Sequence, residues 1–345
     1  MTTQLQPRPT VETQSTTDSQ TQTMKAVVFH KFGPPEQLVL TDIAKPLVDD
    51  DGVLVRVRAA SINALDWRMM EGQPYIGRLM GMGFRKPNRT VPGVDSAGYV
   101  EAVGKNVTEF KLGDEVIGHR VGACAEYVLG KERHFVKKPA RLSFEQAAAI
   151  PVAGMTALEA LRDGGQIKAG QKVLINGAAG GVGTFAVQLA KAFGADVTAV
   201  CSARNVDMVR AIGADRVIDY TKEDFTRGGQ RYDLIVYING KRSITDCRRA
   251  LTREGTLVIV GGSGSRLLGP MALWLKALVL RRFVSQKLVP FMSTGSKDAL
   301  VVVTDLIDDG KVTPVVDRTY PLSETAAAIR YLEDGHARAK VVITI

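Results

Sequence analysis

A glycine-rich loop at residues 177–183 carries the clearest chemical signal in this sequence. It reads GAAGGVG, it follows the apolar run 172–176, and a helical pattern begins directly after it. The dinucleotide-binding fingerprint G-x-G-x-x-G occurs in this strand–loop–helix setting. Ala178, Gly180 and Gly183 occupy its three places, with alanine at the first. The loop predicts a dinucleotide site, and the alternative is a purely structural glycine turn.

Each part of such a loop has a physical task. Gly180 lets the backbone approach a pyrophosphate, and Gly183 lets the helix pack close to the preceding strand. The N-terminus of the helix offers unpaired N–H groups and the positive end of its dipole to an anion. We therefore expect four consecutive residues to contact the cofactor: Ala179, Gly180, Gly181 and Val182.

The segment 201–205 bears on the choice between NAD and NADP, because it lies about 20 residues past the loop. An acidic residue there accepts hydrogen bonds from the 2′-hydroxyl of NAD, but the segment reads CSARN and contains no acid. Ser202 can donate to a phosphate, and the Arg204 guanidinium can form two hydrogen bonds to its oxygens. The sequence thus predicts NADPH, and the alternative is that Arg204 is an exposed side chain without a ligand.

A parallel sheet must hold these loops, and the second half of the chain has the pattern for one. From residue 172 onward, short apolar runs alternate with helical stretches, which is typical of a parallel sheet covered by helices on both faces. Residues 24–138 instead contain short strands punctuated by glycines. An Ala-rich helix is predicted over 144–163, and a final strand over 340–345 that returns to the earlier sheet. The fold class is α/β, with a mostly-β domain and a doubly wound parallel sheet.

Composition agrees with a globular chain of about two domains. The 345 residues are 45% hydrophobic and 23% charged, which excludes a collagen-like, coiled-coil or wholly disordered chain. Three scattered cysteines cannot form a disulfide framework or a four-cysteine zinc site. No segment approaches the ~18 uninterrupted apolar residues of a membrane span.

The net charge of +9 is concentrated in residues 241–290, which hold ten Lys or Arg and two acids. Nucleic-acid-binding proteins more often show a basic stripe with aromatic platforms or a recognisable module. Neither is present in this sequence, so we expect no nucleic-acid partner. Within this segment, 267–280 is apolar apart from Pro270 and Lys276. Such a stretch fits a membrane surface, an interface helix or a lid over the substrate.

Residues 1–23 are rich in Thr, Gln and Ser and show no apolar periodicity, so we expect a disordered tail. The segment lacks an apolar core and contains one Arg and two acids, which argues against a signal peptide or an organelle-targeting helix. The low cysteine count is typical of a reducing compartment. These observations predict a cytoplasmic protein.

Several further motifs resemble those of the medium-chain dehydrogenase/reductase superfamily and its zinc-independent, quinone-oxidoreductase-like branch. They are PGVDSAG at 92–98, GDEV at 113–116, IP at 150–151, GMTA at 154–157, GAD at 213–215 and VIDY at 217–220. With the glycine-rich loop, the resemblance covers residues 24–345. It implies a GroES-like catalytic domain (24–149 and 291–345), a Rossmann NADP-binding domain (150–290), and an active site in the cleft between them.

The resemblance also implies that no metal is bound. Zinc alcohol dehydrogenases of this superfamily hold a catalytic metal through Cys, His, Glu and Cys. The matching places in this chain hold Asn63, Val94, Asp95 and Val152, which include no thiolate or imidazole. Alcohol oxidation needs a Lewis acid. In an enone or quinone the developing negative charge is delocalised onto oxygen, so hydrogen-bond donors suffice.

Three residues are predicted from the resemblance to be catalytic. Asn63 and Asp66 match positions at the floor of the active site, where Asn63 can donate to a substrate oxygen, and Thr156 matches a residue near the nicotinamide ribose. Each has a structural alternative. Asn63 and Asp66 can each simply hold a loop, and a helical threonine can bond to its own backbone.

The resemblance adds four cofactor contacts: Tyr220, Asn239, Gly261 and Gly262. Tyr220 matches a tyrosine on the adenosine phosphate side, and the two glycines end a strand where the backbone comes close to the nicotinamide. Two departures lie near these segments. Tyr237 stands where Asp is usual, and Ala339 stands where Gly is usual.

We interpret the chain as an NADPH-dependent, zinc-independent reductase that transfers hydride to a small electrophile: an enone, an enal or a quinone. The rival is an NADPH-binding sensor or regulatory protein with little turnover, which docks through the basic residues 241–290. The lack of an obvious catalytic acid and the departure at Tyr237 favour this rival. In similar proteins the region around 267–280 and the strand after it often join two subunits, so we expect a homodimer and no membrane contact.

Overall fold

The computed structural model describes residues 22–78, 82–240, 242–261, 271–335 and 337–345. Most of the predicted tail at 1–23 lies outside these ranges, and so does Gly262. Position 23 is already part of the first strand, one residue before the order expected to begin at Met24. In the described part of the chain, every helix is too short or too polar to cross a bilayer.

The first half of the chain forms short strands, as its glycine-punctuated alternation predicts. The strands are β1 (Thr23–Val28), β2 (Val39–Ala44), β3 (Gly52–Ile62), β4 (Asp95–Val103), β5 (Glu115–His119), β6 (Tyr127–Lys131) and β7 (Phe135–Lys137). β1 and β2 pair with each other, while β3 to β7 form an antiparallel sheet in which β6 pairs with β3. One helix, α1 (Ala64–Glu71), follows β3 directly. This sheet therefore presents the start of α1 at one end of its longest strand.

The predicted Ala-rich helix over 144–163 is two helices in the structure. α2 (Phe144–Ala148) ends before Pro151, and α3 (Pro151–Glu159) begins at it. The physical reason is that proline has no N–H to donate and is favoured in the first turn of a helix. A wider helical turn at Ala160–Gly164 then continues α3.

The middle of the chain forms the parallel sheet that the alternating pattern predicts. Its strands are β8 (Lys172–Asn176), β9 (Asp196–Cys201), β10 (Arg216–Asp219), β11 (Tyr232–Tyr237), β12 (Leu251–Ile259) and β13 (Lys287–Pro290), in the spatial order β10-β9-β8-β11-β12-β13. The intervening helices are α4 (Gly181–Ala192), α5 (Val206–Ala211), α6 (Ile244–Arg249) and α7 (Met271–Leu280). All strand pairs are parallel.

The C-terminal segment returns to the first sheet, which confirms the prediction for the final strand. It contains α8 (Lys297–Asp308), β14 (Val316–Pro321), α9 (Thr325–Glu333) and β15 (Lys340–Thr344). β15 pairs antiparallel with β3 and parallel with β14. The chain is thus a GroES-like sheet and a Rossmann-type sheet, in agreement with the predicted fold class. The domain boundaries at 149/150 and 290/291 stay a prediction.

One continuous apolar core joins the two sheets. It includes Ala59 and Ala97 from the first sheet, Leu158 from α3 and Val173 from β8, all fully buried. α8 packs on the same core, and Val303 Cγ1 would lie only 2.9 Å from a Cβ at Gly154. The two sheets are therefore held in one orientation by α3 and its neighbours, which fixes the cleft between them.

Candidate active site

A cavity of about 980 Å³ lies in the cleft between the sheets. In the Rossmann-type sheet, β8 lies between β9 and β11, and such a point of reversal in strand order opens a crevice at the carboxyl ends of the strands. Ten predicted site residues line this cavity: Asn63, Ala179, Gly180, Gly181, Val182, Ser202, Arg204, Tyr220, Asn239 and Gly261. The structure thus brings together residues that are nearly 200 positions apart. Their assignment as site residues stays a prediction.

The glycine-rich loop forms one wall of the cavity and fits a pyrophosphate. Gly180 is the N-cap of α4, whose first turn leaves N–H groups without intrahelical acceptors. A Cβ at Gly180 would meet only the Gly177 oxygen, at 3.6 Å, whereas a Cβ at Gly183 would lie 2.1 Å from that oxygen. Gly183 therefore allows the close packing of α4 on β8, and Gly180 leaves open space for a ligand beside the helix N-terminus.

The end of β9 forms the predicted ribose region. The Asn205 Nδ2 donates to Ser202 Oγ over 3.2 Å, which leaves the Ser202 hydroxyl hydrogen available to another acceptor. Arg204 and Tyr220 are exposed at the same rim. The arrangement can offer two donors to a phosphate.

The cavity also contains charged residues that sequence analysis missed. Glu223 pairs with Arg216 at the rim, and Asp224 pairs with Arg242 over 3.1 Å. These residues lie in loops without a motif, so spacing along the chain gives no signal for them. The Asp224–Arg242 pair joins the loop after β10 to the loop after β11. It therefore holds these two loops together at the lining of the cavity.

The departure at Tyr237 has a structural explanation. Its hydroxyl accepts a hydrogen bond from the Arg242 N–H over 2.9 Å and donates to the Arg242 carbonyl over 3.1 Å. Burial raises the pKa of Tyr237 to about 12, so the hydroxyl keeps its proton near neutral pH. Tyr237 thus bonds Arg242 back to the end of β11, while Asn239 and Gly261 from the neighbouring strand ends line the cavity.

The departure at Ala339 also lies beside the cavity. Ala339 has a positive φ of 55°, the left-handed region that favours glycine, which explains why glycine is usual there. Its N–H donates to the Ala179 carbonyl over 2.7 Å. The C-terminal segment is therefore bonded directly to the glycine-rich loop.

Asn63 and Lys340 line the floor of the cavity. Together with the buried Ser61 and Asp95 behind them they form a polar cluster, which we name the Asp95 cluster. Asp95 Oδ2 accepts hydrogen bonds from Ser61 Oγ, Asn63 Nδ2 and Lys340 Nζ, at 2.9, 2.9 and 3.1 Å. Its other oxygen accepts from the Val152 N–H over 2.9 Å. Asp95 is 0% exposed, and these four donors compensate the buried carboxylate.

Asp66 and Thr156 are placed differently from the other predicted residues. Of the described residues, those that line the cavity do not include either of them. The Asp66 carboxylate accepts the Asn63 N–H over 2.7 Å, and burial raises its pKa to about 7. It faces a smaller cavity of about 310 Å³ instead. Asp66 thus holds the start of α1, which is the scaffolding alternative, and its catalytic role, like that of Thr156 within α3, stays a prediction.

The places that match zinc ligands do not fit a zinc ion. Val94 and Val152 have no donor side chain, and the Lys340 ammonium lies between Asn63 and Asp95. A positive ammonium and a metal cation cannot share these oxygens without strong repulsion. Among the described residues, no group of three or more His, Cys, Asp or Glu side chains is placed to hold a metal. The residues present therefore support no step through zinc, and metal independence stays a prediction.

Two family models match the chain. Residues 49–155 match the model described as "Alcohol dehydrogenase GroES-like domain", and residues 212–343 match the one described as "Zinc-binding dehydrogenase". The first spans most of the GroES-like sheet, and the second begins in the Rossmann-type sheet and ends in β15. The residues at the matching ligand places do not fit the zinc that the second description names.

Three relatives are similar over nearly the whole chain. The chloroplast envelope quinone oxidoreductase homolog of Arabidopsis thaliana is 32% identical over 93% of this chain and 98% of its own length. The chloroplastic NADPH-dependent alkenal/one oxidoreductase of the same plant is 34% identical over 93% of this chain and 79% of its own. The structure of the quinone oxidoreductase from Coxiella burnetii superposes with a TM-score of 0.80, with 30% identity over 94% of this chain and all of that one. All three are named as oxidoreductases, so the comparison gives no support to the sensor alternative.

The predicted cytoplasmic location is wrong in the light of these relatives, because both plant proteins are named as chloroplast proteins. The physical reason for the error is that a low cysteine count reports a reducing environment and does not identify a compartment. The composition of residues 1–23, which lie almost entirely outside the described ranges, was equally uninformative.

Motifs, fold and relatives agree on the family. The glycine-rich loop follows β8 as the fingerprint requires, the GroES-like and Rossmann-type sheets enclose one cleft, and relatives above 30% identity cover nearly all of the chain. The chain belongs to the medium-chain dehydrogenase/reductase superfamily, in its quinone-oxidoreductase-like branch.

Proposed function

We propose that this protein is an NADPH-dependent reductase that adds hydride to the β-carbon of an enone or enal, or to a quinone. The observation that carries the proposal is the composition of the cavity. A dinucleotide loop lies at one wall, and a hydrogen-bonding amide, Asn63, lies at the floor, where similar zinc enzymes hold their metal. The names of the relatives, which include a quinone oxidoreductase homolog and an alkenal/one oxidoreductase, support the same substrate class.

Conjugated acceptors suit this site for an electronic reason. Bound NADPH supplies a hydride, and in a conjugated acceptor the charge that this addition creates collects on the carbonyl oxygen. One or two fixed donors can stabilise that charge, and Asn63, which lines the cavity, is the proposed donor. The enolate then takes a proton from solvent. A saturated ketone places the full charge on an alkoxide, which a site without a Lewis acid stabilises poorly.

NADPH, and not NADH, is the proposed reductant. Ser202 and Arg204 lie at the end of β9, where an acid would serve the 2′-hydroxyl of NAD. The acids that line the rim, Glu223 and Asp224, are each paired with an arginine. The pairing with arginine offsets their negative charge, so a 2′-phosphate can enter the rim.

The proposal is tested by following NADPH oxidation at 340 nm, a standard absorbance for the reduced cofactor, with a panel of acceptors. The panel holds quinones, enones and enals, together with saturated ketones of the same size as matched controls. We expect turnover of at least one conjugated class and none of the saturated controls. Tight NADPH binding without turnover of any conjugated acceptor would contradict the proposal, and so would equal rates with the saturated controls.

We propose in addition that the protein is a homodimer joined through α7 and β13. β13 is the last strand of its sheet among the described residues. Close to it, apolar side chains are exposed: Leu275 by 56%, Val279 by 62% and Phe283 by 78%. An unpaired strand edge beside an exposed apolar face is typical of a subunit interface.

Sedimentation equilibrium tests this assembly. We expect a mass of two chains for the wild type and of one chain for the double variant Leu275→Asp/Val279→Asp. Leu47→Asp is the matched control. Leu47 is 89% exposed and lies in the loop between β2 and β3, outside α7 and β13. A monomeric wild type contradicts the proposal.

A further inference from the structure

Lys340 is a buried cation at the floor of the cavity. Its side chain is 2% exposed, and its ammonium donates to Asn63 Oδ1 over 2.6 Å, to Asp95 Oδ2 over 3.1 Å and to the Ile62 carbonyl over 3.4 Å. An ammonium has three N–H donors, so these acceptors use all of them. Lys340 therefore has no N–H donor left for a substrate, and any effect that it exerts through hydrogen bonds must pass through a neighbour.

That neighbour is Asn63, whose amide orientation the cluster fixes. Asn63 Oδ1 accepts from Lys340, and Nδ2 donates one hydrogen to Asp95 Oδ2 over 2.9 Å. A primary amide has two N–H donors, and no described residue accepts the second. Asn63 also lines the cavity. The amide thus presents an N–H, and not its oxygen, to whatever occupies the cleft.

The charge of Lys340 also changes the strength of that donor. An ammonium on the amide oxygen draws electron density from the nitrogen, and chains of hydrogen bonds polarise one another in this way. The remaining N–H of Asn63 is therefore a stronger donor with Lys340 present than without it, while the Asp95 carboxylate on the other N–H opposes part of this effect. Such a donor gains most when its acceptor becomes an oxyanion.

We propose that Lys340 is a positioning residue that orients and polarises Asn63 as the donor to the substrate's carbonyl oxygen. This inference rests on the proposed function, since it concerns the oxygen that becomes negative when hydride adds to an enone or quinone. Lys340 supplies at this floor the positive charge that a metal supplies in zinc-dependent members of the superfamily. It does not contact the substrate oxygen directly but acts through the Asn63 amide. No bond to Lys340 forms or breaks, and the proton that completes the reduction comes from solvent.

A structural role for Lys340 is the competing explanation, and the chain offers a matched control for it. Of the lysines in the described ranges, Lys138 is also buried, and it donates to the carbonyls of Leu142 and Pro139 and pairs with Glu115. Lys138 does not belong to the residues that line the cavity. Lys340→Met and Lys138→Met therefore remove similar buried cations, one at the floor and one away from it.

The decisive measurement is a double-mutant cycle of Lys340→Met and Asn63→Ala on kcat with an enone. Removal of one oxyanion donor lowers kcat by about 10²–10³-fold. We expect such a loss for Asn63→Ala and a loss of about ten- to hundred-fold for Lys340→Met. The kcat of the double variant should equal that of Asn63→Ala alone within about two-fold. The fold-losses of two independent mutations multiply, whereas a mutation that acts only through Asn63 adds no further loss once Asn63 is removed. The Kd of NADPH should change by no more than about two-fold in all three, and Lys138→Met should keep its kcat.

A spectroscopic readout separates polarisation from general loosening. The carbonyl stretch of an enone bound with NADP⁺ should lie at lower frequency in the wild type than in solution. Lys340→Met should move it back toward the solution value, and Lys138→Met should not.

Lys340→Met leaves Asp95 as a buried, unpaired carboxylate, so this variant can fail to fold. The neutral pair Asp95→Asn/Lys340→Met avoids that charge. It should show the same loss of kcat, and it serves in the cycle in place of the single variant if needed.

Losses that multiply in the cycle, an unchanged kcat in Lys340→Met, or an unchanged carbonyl frequency each overturn the inference. A wild type that turns over no conjugated acceptor overturns the proposed function, and this inference with it. A wild type that turns over, with variants that fail the cycle, overturns the role of Lys340 alone.

Discussion

Arg204→Ala is expected to weaken the binding of NADPH and to leave that of NADH almost unchanged. Arg204 follows β9 by three residues and lines the rim of the cavity beside Ser202 and Tyr220. NADPH differs from NADH only by its 2′-phosphate. Any discrimination between the two must therefore come from groups at this rim.

The size of the effect follows from the kind of contact that is removed. A hydrogen bond to a charged group contributes about 1.5–3 kcal/mol, and about 1.4 kcal/mol corresponds to a factor of ten in affinity. The loss should thus be on the order of ten- to hundred-fold. Arg204 is exposed, and solvent screens exposed charges, so we place the loss near ten-fold. The Ser202 hydroxyl remains as a second donor and preserves part of the preference.

The assay is calorimetric titration of both cofactors into the wild type and the variants. Arg210→Ala is the matched control, because Arg210 is exposed on α5 nearby and does not line the cavity. It should leave both dissociation constants unchanged. Ser202→Asp should reduce NADPH affinity further than Arg204→Ala, since a carboxylate repels the phosphate and accepts from a free 2′-hydroxyl.

Two results refute this reasoning. Equal losses for NADPH and NADH in Arg204→Ala mean that Arg204 stabilises the loop and does not read the phosphate. A wild type that prefers NADH means that the rim around Ser202 has been misinterpreted altogether.

Three further predictions follow from contacts elsewhere in the chain. Gly183→Ala should lower the melting temperature by several degrees, because its Cβ would lie 2.1 Å from the Gly177 oxygen; Gly180→Ala should leave the melting temperature unchanged and weaken NADPH binding, and the opposite pattern refutes both assignments. Tyr237→Phe should lower the free energy of unfolding by about 1 kcal/mol and raise the Kd of NADPH, as measured by denaturant unfolding and titration; an unchanged Kd shows that the loop does not need this anchor. Glu159 is buried, and burial acts to raise its pKa, but hydrogen bonds from Ser293, Ser296 and Thr294 prevail and lower it; Glu159→Gln should therefore cost about 1.5–3 kcal/mol at pH 7. A carboxylate with a lowered pKa contributes its stability above the unfolded pKa and loses it as pH falls through the folded one, so the difference between wild type and Glu159→Gln in denaturant unfolding should shrink below about pH 4.5; a difference that is constant from pH 7 to pH 3 refutes the pKa shift.

The order of secondary-structure elements could be predicted because each rests on a local pattern. The predicted strands over 172–176 and 340–345 are observed within one residue of those bounds. The error at 144–163 has an equally local cause. Alanine favours helix throughout, whereas Pro151 lacks an N–H and marks the point where one helix has ended and the next begins.

The residues that line the cavity could be predicted from the sequence only where they lie together in one short segment of the chain. The glycine-rich loop and the end of β9 are short segments, and the residue types within each of them are sufficient to predict cofactor binding. Lys340 is different, because 277 positions separate it from Asn63. No spacing rule connects them, and only the return of β15 to β3 brings them together.

β15 therefore does more than complete a sheet. Ala339 bonds to the carbonyl of Ala179 in the glycine-rich loop, and the next residue, Lys340, bonds to Asn63 at the floor. A Cβ on Gly181 would lie 2.8 Å from Lys340 Cδ, so the same lysine also packs against the first residue of α4. Two adjacent residues thus connect the cofactor wall to the proposed carbonyl donor. Hydride transfer requires its two partners at a fixed distance, and under the proposed function these two adjacent residues are the direct link between the cofactor wall and the carbonyl donor.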